Sequence, residues 1–333
     1  MEIIHDCQKI VTPTAVALGN FDGLHLGHRR VIAPVVQQSH QAAAQGKTLI
    51  STLLSFAPHP HVFFSQQPRP LLTPISEKIQ LLAELGVQQL VVLEFNQELA
   101  QLTAAEFINQ ILVQQLQAQW VSVGFNFHFG YRRQGSPADL QQYWDDQISI
   151  MAEQTLSVPS HWLPKTAESD SSLPSGTKSV RISSSNIRAA LSEGNIELAN
   201  TLLGRAYSLT GNVIQGQQLG RTIGFPTANL KIDADKFLPR DGVYAVRVKI
   251  GAEPTINCQG VMNIGVRPTV TGAPSRTIEV HLFHWAGDLY GKTLTVELIK
   301  FLRPEQKFSS LDALKQQISG DCQTALQILG NLA

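Results

Sequence analysis

Residues 14–28 read TAVALGNFDGLHLGH, and this stretch decides the fold of the first half of the chain. The apolar run 14–19 is strand-like and breaks at Asn20-Phe21-Asp22-Gly23, after which a helix is expected over 25–45. Working outward, the alternation continues. A strand is expected over 48–56, stopped by Pro58 and Pro60, and a helix over 77–85 with Gly86 past its end. A strand over 90–95, a helix over 104–117 and a strand over 120–124 follow. Strands alternating with helices imply a parallel sheet covered on both faces, a Rossmann-like α/β domain. Ligands in such sheets bind beyond the carboxyl ends of the strands. The loops after Gly19, Phe56 and Gly124 are therefore expected to converge on one site.

The second half reads differently. Residues 157–179 carry Pro159, Pro164, Pro174 and Gly176 among many Ser and Thr, which fits a mobile surface loop, either a tolerated insertion or a lid. A helix pair is expected over 186–192 and 195–203, ending at Gly204. Strand-like segments then follow one another over 242–250, 256–264, 276–283 and 292–302, separated by Gly and Pro turns. Consecutive strands without intervening helices imply a small antiparallel β-barrel. An amphipathic helix over 309–329 closes the chain. The expected division is a domain over 1–203 and a second over 204–333, matching the two domains that 333 residues imply.

Lys plus Arg equals Asp plus Glu at 26 each, so the basic excess that neutralises nucleic-acid phosphates is missing. Arg132-Arg133 remains a local candidate for a phosphate. Cys7, Cys258 and Cys322 form no CxxC pair, which fits a reducing compartment. The N-terminus does not read as a signal peptide, and no apolar run approaches the ~20 residues of a membrane span. The expectation is a cytoplasmic protein with neither nucleic-acid nor membrane partners.

His25 and His28 stand three apart at the expected start of a helix, which puts both imidazoles on one face. A helix N-terminus offers unpaired N–H groups and partial positive charge, and so favours phosphate. Two imidazoles there can stabilise charge that builds during transfer. Gly19, Asn20 and Phe21 open the preceding turn and are read as nucleotide-binding. A second anion-binding candidate is Arg181-Ile182-Ser183-Ser184-Ser185-Asn186-Ile187-Arg188. There Ser184 and Ser185 cap a helix, and Arg188 can grip a leaving pyrophosphate. Asn126, within Gly124 to Gly130, follows a strand where a base or ribose can be held. His59 is either a turn residue fixed between two prolines or part of the site.

These residues resemble the nucleotidylyl-transferase superfamily that shares its HxGH site with class I aminoacyl-tRNA synthetases. With Ser55-Phe56-Ala57-Pro58-His59-Pro60 and Gly124 to Gly130, the set resembles the FMN adenylyltransferase module of prokaryotic bifunctional riboflavin kinase/FAD synthetases. The resemblance implies that His25 and His28 contact ATP phosphates, and that Asn126 and Arg188, with Arg181, Ser184 and Ser185, hold nucleotide and phosphate. It implies a flavin contact for His59. Many relatives carry Asp where Asn126 stands; Asn keeps the acceptor and loses the charge.

The glycines Gly216 and Gly220, with Arg221, lead into Pro226-Thr227-Ala228-Asn229. Such glycines let a loop wrap phosphates, although the Walker A ending is absent. Thr227 and Asn229, two apart on an extended segment, point the same way and supply oxygen ligands of the kind Mg²⁺ prefers. Residues 205–329 resemble the riboflavin kinase domain nearly throughout. The matching segments include Gly220 to Leu230, Asn263 to Thr269 and Glu279-Val280-His281-Leu282. The resemblance implies a six-stranded antiparallel barrel with a C-terminal helix. It implies Mg²⁺–ATP at Thr227 and Asn229, and Glu279 as the base that activates the ribityl hydroxyl. Arg303 either holds the flavin or pairs with Glu305. The implied substrates and products are riboflavin, FMN, FAD and ATP.

Overall fold

The computed structural model describes residues 1–5, 10, 12–163, 176–216, 219–251, 255–267 and 275–330. Cys7, residues 164–175 of the expected loop, and Pro268 and Thr269 lie outside the described residues.

The first sheet is six-stranded and parallel, in the order β1 (Glu2–Ile4), β4 (Gln89–Glu94), β3 (Ile50–Ala57), β2 (Thr14–Leu18), β5 (Ala118–Gly124), β6 (Ile148–Met151). Every residue of β2 is buried, and its side chains alternate between two cores as the two-residue period of a strand requires. Ala15 and Ala17 face Val31, Ile32 and Val35 of helix α1 (Leu26–Ala44) and Leu82 of helix α3 (Ile75–Glu84). Val16 and Leu18 face Phe107, Ile108, Ile111 and Leu112 on the other side. The apolar character of both faces follows from this two-sided covering. The strand order reverses at β2, which lies between β3 and β5, so the crevice opens beyond the ends of these strands.

The expected helix over 104–117 is divided. A capping box between Thr103 and Glu106 opens a short α-turn, Ala104–Glu106, and the chain continues as a π-helix, Phe107–Gln115. The wider turn keeps the pairs Phe107/Ile108 and Ile111/Leu112 on the core. The expected loop over 157–179 is corrected at its ends. β7 (Thr155–Pro159) and β8 (Thr177–Arg181) form a two-stranded sheet, with Ser160 N–H donating to the Gly176 carbonyl at 2.8 Å.

The second sheet closes into an antiparallel barrel in the order β10 (Ala228–Ile232), β13 (Ser275–Leu282), β12 (Ile256–Arg267), β11 (Gly242–Ile250), β14 (Thr293–Arg303), β9 (Tyr207–Ile214). β9 alternates buried and accessible residues, as a barrel wall does. β11 is buried on both faces over its first five residues. Its outer face, with Val243 and Ala245, is covered by Ala325 and Leu329 of the C-terminal helix Leu311–Gly330.

The chain divides into two compact units, residues 1–156 with 180–184, and residues 157–179 with 185–333. This packing boundary differs from the expected one at 203/204. The helix Ile196–Leu203 is tied to the barrel: Asn200 Nδ2 donates to the Leu298 carbonyl at 2.9 Å and its Oδ1 accepts from Tyr207 N–H at 2.7 Å. Lys300 pairs with Glu197 at 2.7 Å.

Candidate active sites

In the first unit the loops after β2, β3 and β5 enclose a cavity of about 870 Å³. Gly19, Asn20, Phe21, His28, His59, Asn126 and Ser184 all line it, so seven residues singled out from sequence meet in one place. His25 has a different position. It is buried at the N-cap of α1, where its Nδ1 accepts from His28 N–H at 3.2 Å. That bond leaves any ring proton of neutral His25 on Nε2. The two imidazoles stack with centroids 3.6 Å apart, and Phe21 meets His28 edge-on at 5.3 Å. The β2–α1 turn is tied down by Asp22, whose Oδ1 accepts from Thr73 N–H at 3.1 Å and whose carbonyl accepts from Ser184 Oγ at 2.8 Å.

His59 has two structural positions at once. It caps helix α2 (Pro60–Ser65), with Nδ1 accepting from His61 N–H at 3.0 Å, and it stands in the cavity wall. Burial pulls its pKa down to about 4, helped by the Arg69 cation and opposed by Asp22, so the ring is neutral at pH 7. Arg181 does not line the cavity. It pairs with Glu153 at 2.6 Å and lies over the Phe125 ring at 5.6 Å. Ser185 and Arg188 group with the second unit, where the Arg188 guanidinium lies 5.0 Å over the Phe237 ring.

Phe64, Phe95 and Arg69 of the cavity escaped sequence reasoning, and Phe56 was read only as part of a family-like segment. Phe56, Phe64 and Phe95 meet edge-to-face, with Phe95 5.9 Å from Phe56 and 5.7 Å from Phe64. Phe64 is 68% exposed. An apolar aromatic wall held open to the cavity suits a flat ring system. Arg69 adds positive charge to the same walls, as do Arg132 and Arg133, the pair singled out from sequence as a phosphate candidate. The sequence signal for the aromatics was the Phe63-Phe64 pair after Pro60, which no periodicity connects to Phe95 across the sheet.

In the second unit the kinase candidates gather at one end of β10. Asn229 is the cross-strand partner of Glu279, and Glu279 is in turn opposite Asn263, so the three share one face of the barrel. Ile278 and Val280 point into the core, which turns Glu279 outward as alternation requires. Thr227 Oγ1 donates to Glu279 Oε2 at 3.4 Å. The two glycines are there for close approach: a β-carbon on Gly216 would lie 2.2 Å from Asn229 Nδ2, and one on Gly220 would lie 2.3 Å from the Phe225 carbonyl. Arg221 sits beside them in the turn Leu219–Thr222. Sequence reasoning missed His281, whose Nδ1 lies 2.8 Å from the Pro226 carbonyl and buttresses the Pro226–Asn229 segment.

Arg303 is corrected on one point. It pairs with Asp321 of the C-terminal helix rather than Glu305, with Nε 3.0 Å from both carboxylate oxygens and Nη2 2.7 Å from Oδ2. Asp321 is only 7% exposed, and a buried carboxylate demands such a fork. Glu305 instead accepts from Asn263 Nδ2 at 3.2 Å.

The comparisons agree with both halves. Residues 7–161 match the family model FAD synthetase, and residues 203–329 match the model riboflavin kinase. The Escherichia coli (strain K12) bifunctional riboflavin kinase/FMN adenylyltransferase is 38% identical over 318 residues, which cover 95% of this chain and 92% of that protein. The Bacillus subtilis (strain 168) protein of the same name is 37% identical over 323 residues, covering 96% and 93%. A solved Streptococcus pneumoniae structure, named a macrolide-efflux protein, is 28% identical with a TM-score of 0.76 over 96% of each chain. Efflux is said there of that protein; no described helix of the present chain is long and apolar enough to cross a membrane. With relatives above one-third identity along nearly its whole length and a family match in each half, the chain belongs to the bifunctional riboflavin kinase/FMN adenylyltransferase family.

Proposed function

We propose that the two sites divide the two reactions of FAD synthesis between them, with residues 1–203 as the adenylyltransferase domain and 204–333 as the kinase domain. The chain phosphorylates riboflavin with ATP to give FMN and ADP, and adenylylates FMN with ATP to give FAD and pyrophosphate. The observation that carries the division is that the cavity beyond β2, β3 and β5 is lined by residues of the first unit alone, whereas Thr227, Asn229 and Glu279 meet within the second.

In the kinase site Glu279 accepts the proton of the ribityl hydroxyl as that oxygen attacks the γ-phosphorus and ADP leaves. Phosphoryl transfer rests mainly on positioning and charge neutralisation, so a carboxylate that orients the nucleophile is the main chemical group the chain must supply. Gly216, Gly220 and Arg221 hold the phosphates. Thr227 and Asn229 offer neutral oxygen donors, a set that suits Mg²⁺ shared with ATP phosphates, and the ion supplies charge neutralisation when bound. Arg303 supports the site through the C-terminal helix.

In the adenylyl site an FMN phosphate oxygen attacks the α-phosphorus of ATP, and the bond to the pyrophosphate breaks. His28 and the N-terminus of α1 meet the charge that builds on the phosphates. His25 aligns His28 by stacking and capping, and its Nε2–H is the second donor. Gly19, Asn20, Phe21, Asn126 and Ser184 hold the nucleotide; Arg181, paired with Glu153, and Ser185 and Arg188 of the second unit are given no contact in it. His59, neutral, stands beside the Phe56–Phe64–Phe95 wall that takes the flavin ring. The absence of any paired cysteine among the described residues and the family's substrates favour a cytoplasmic enzyme.

Incubation with riboflavin, ATP and Mg²⁺, followed by separation of flavins, is expected to yield FMN and then FAD. Formation of neither flavin product refutes the reading, and FMN without FAD refutes its adenylyl half.

A further inference from the structure

Lys78 is a buried lysine that no step above uses. It stands in the first turn of α3 and is 7% exposed. Burying an ammonium is costly unless its charge and its donors find partners. Its Nζ donates to the Asn20 carbonyl at 3.0 Å and to Ser55 Oγ at 3.3 Å, and Ser55 Oγ itself donates to the same carbonyl at 3.3 Å. Burial lowers the lysine's pKa to about 8 while the nearby Asp22 carboxylate opposes the shift, so the charged form prevails at neutral pH. One backbone carbonyl thus takes two donors from two different elements, one of them charged.

The held peptide is that of Asn20, which lines the cavity beyond β2. The Asn20 side-chain Oδ1 is itself buried and has no hydrogen-bond partner among the described residues. A buried acceptor without a donor is costly and calls for a ligand. The next residue, Phe21, sits at φ 50°, a left-handed conformation that a bulky side chain keeps only where its surroundings over-determine it. The orientation of the Asn20 peptide therefore sets both where Oδ1 stands and how Phe21 meets His28.

We propose that Lys78 is a positioning residue for FMN adenylylation: with Ser55 it locks the Asn20 peptide so that Asn20 Oδ1 stands ready to accept from a hydroxyl or amino group of ATP. The inference rests on the assignment of this cavity to adenylyl transfer.

The test is Lys78→Met, with FMN adenylylation and riboflavin phosphorylation measured on the same protein. The KM for ATP in adenylylation is expected to rise by up to about tenfold, the value of the one neutral hydrogen bond to ATP that is lost, with kcat changed by no more than about threefold. Riboflavin phosphorylation stays at the wild-type rate. Asn20→Ala raises the same KM, and Lys78→Met adds nothing further to it, because the lysine acts through that residue. Ser55→Ala shifts the KM in the same direction by less, and carries the test if the Lys78 variant does not fold. A fall in kcat with the KM for ATP unchanged, or additive effects of Lys78 and Asn20, overturns the proposal. If the wild-type chain makes no FAD from FMN, the cavity assignment fails and the proposal with it; wild-type FAD synthesis with an unshifted KM in the variants overturns the proposal alone.

Discussion

Gly220→Ala places a single methyl group against backbone at a crowded point of the kinase site. Its β-carbon would lie 2.3 Å from the Phe225 carbonyl oxygen and 3.3 Å from Thr227 Oγ1, and ordinary contact begins near 3.4 Å. The carbonyl is backbone and cannot rotate away, so the turn has to open by about 1 Å. That turn is closed by Phe225 N–H donating to the Gly220 carbonyl at 2.8 Å, which ties any displacement to the segment that carries Thr227. Thr227 Oγ1 stands 3.4 Å from Glu279 Oε2, already at the outer limit of a hydrogen bond, and a shift of that size removes it. A misplacement of about 1 Å in a positioning element costs on the order of 100-fold in rate. The strain from overpacking, about 1–3 kcal/mol, falls on a rim turn outside the barrel core, so the fold survives it. The assay is ADP release with riboflavin, with pyrophosphate release from added FMN as the internal control. Riboflavin phosphorylation is expected to fall about 100-fold while FMN adenylylation holds. Phosphorylation within threefold of wild type would refute the idea that this turn aligns Thr227.

Other expectations follow from the ion pair and from the histidine in the flavin wall. Asp321→Ala leaves the Arg303 guanidinium, 18% exposed, without its carboxylate, and should destabilise the chain by about 3 kcal/mol in urea denaturation; a loss below about 1 kcal/mol contradicts a buried pair. His59 has a folded pKa of about 4 against 6.5 ordinarily, so it favours the neutral form in the fold. Its contribution to stability is present above pH 6.5 and is lost as pH falls from there towards 4, where the unfolded chain takes a proton that the folded chain refuses. His59→Asn should flatten the pH dependence of unfolding in that window, and an unchanged slope would mean that the ring protonates freely in the fold.

Much of this was legible because the signals are local. The β2 run, its Gly-Asn-Phe-Asp-Gly turn and the histidines of α1 lie within fifteen consecutive residues, and the cavity forms where sheet order reverses beside them. Four of the six barrel strands were legible from alternation and from glycine and proline punctuation, with β11 found at its observed bounds, whereas β9 (Tyr207–Ile214) and β10 (Ala228–Ile232) were not read as strands from the residues. The remainder depended on partners far apart in sequence. Nothing near Arg303 announces Asp321 on the covering helix, whereas Glu305 two residues away offered a nearer partner. Lys78 reads as a surface residue of an amphipathic helix until Asn20 and Ser55 are brought over it. The helix Ile196–Leu203 reads as the end of the first half, yet Asn200 ties it to β14 and to the start of β9. The strand β7 and its partner β8 were hidden because they are only five residues long and border a stretch rich in Pro, Ser and Thr that reads as a loop.

Two independent sites on one chain are tested most directly by a pair of substitutions read with both reactions. Glu279→Gln is expected to abolish formation of FMN from riboflavin while conversion of supplied FMN to FAD continues. His28→Ala is expected to do the reverse, with FMN accumulating from riboflavin and little FAD formed from it. Loss of both reactions from either substitution in a folded protein, or normal FAD output from His28→Ala, would contradict the assignment of one reaction to each site.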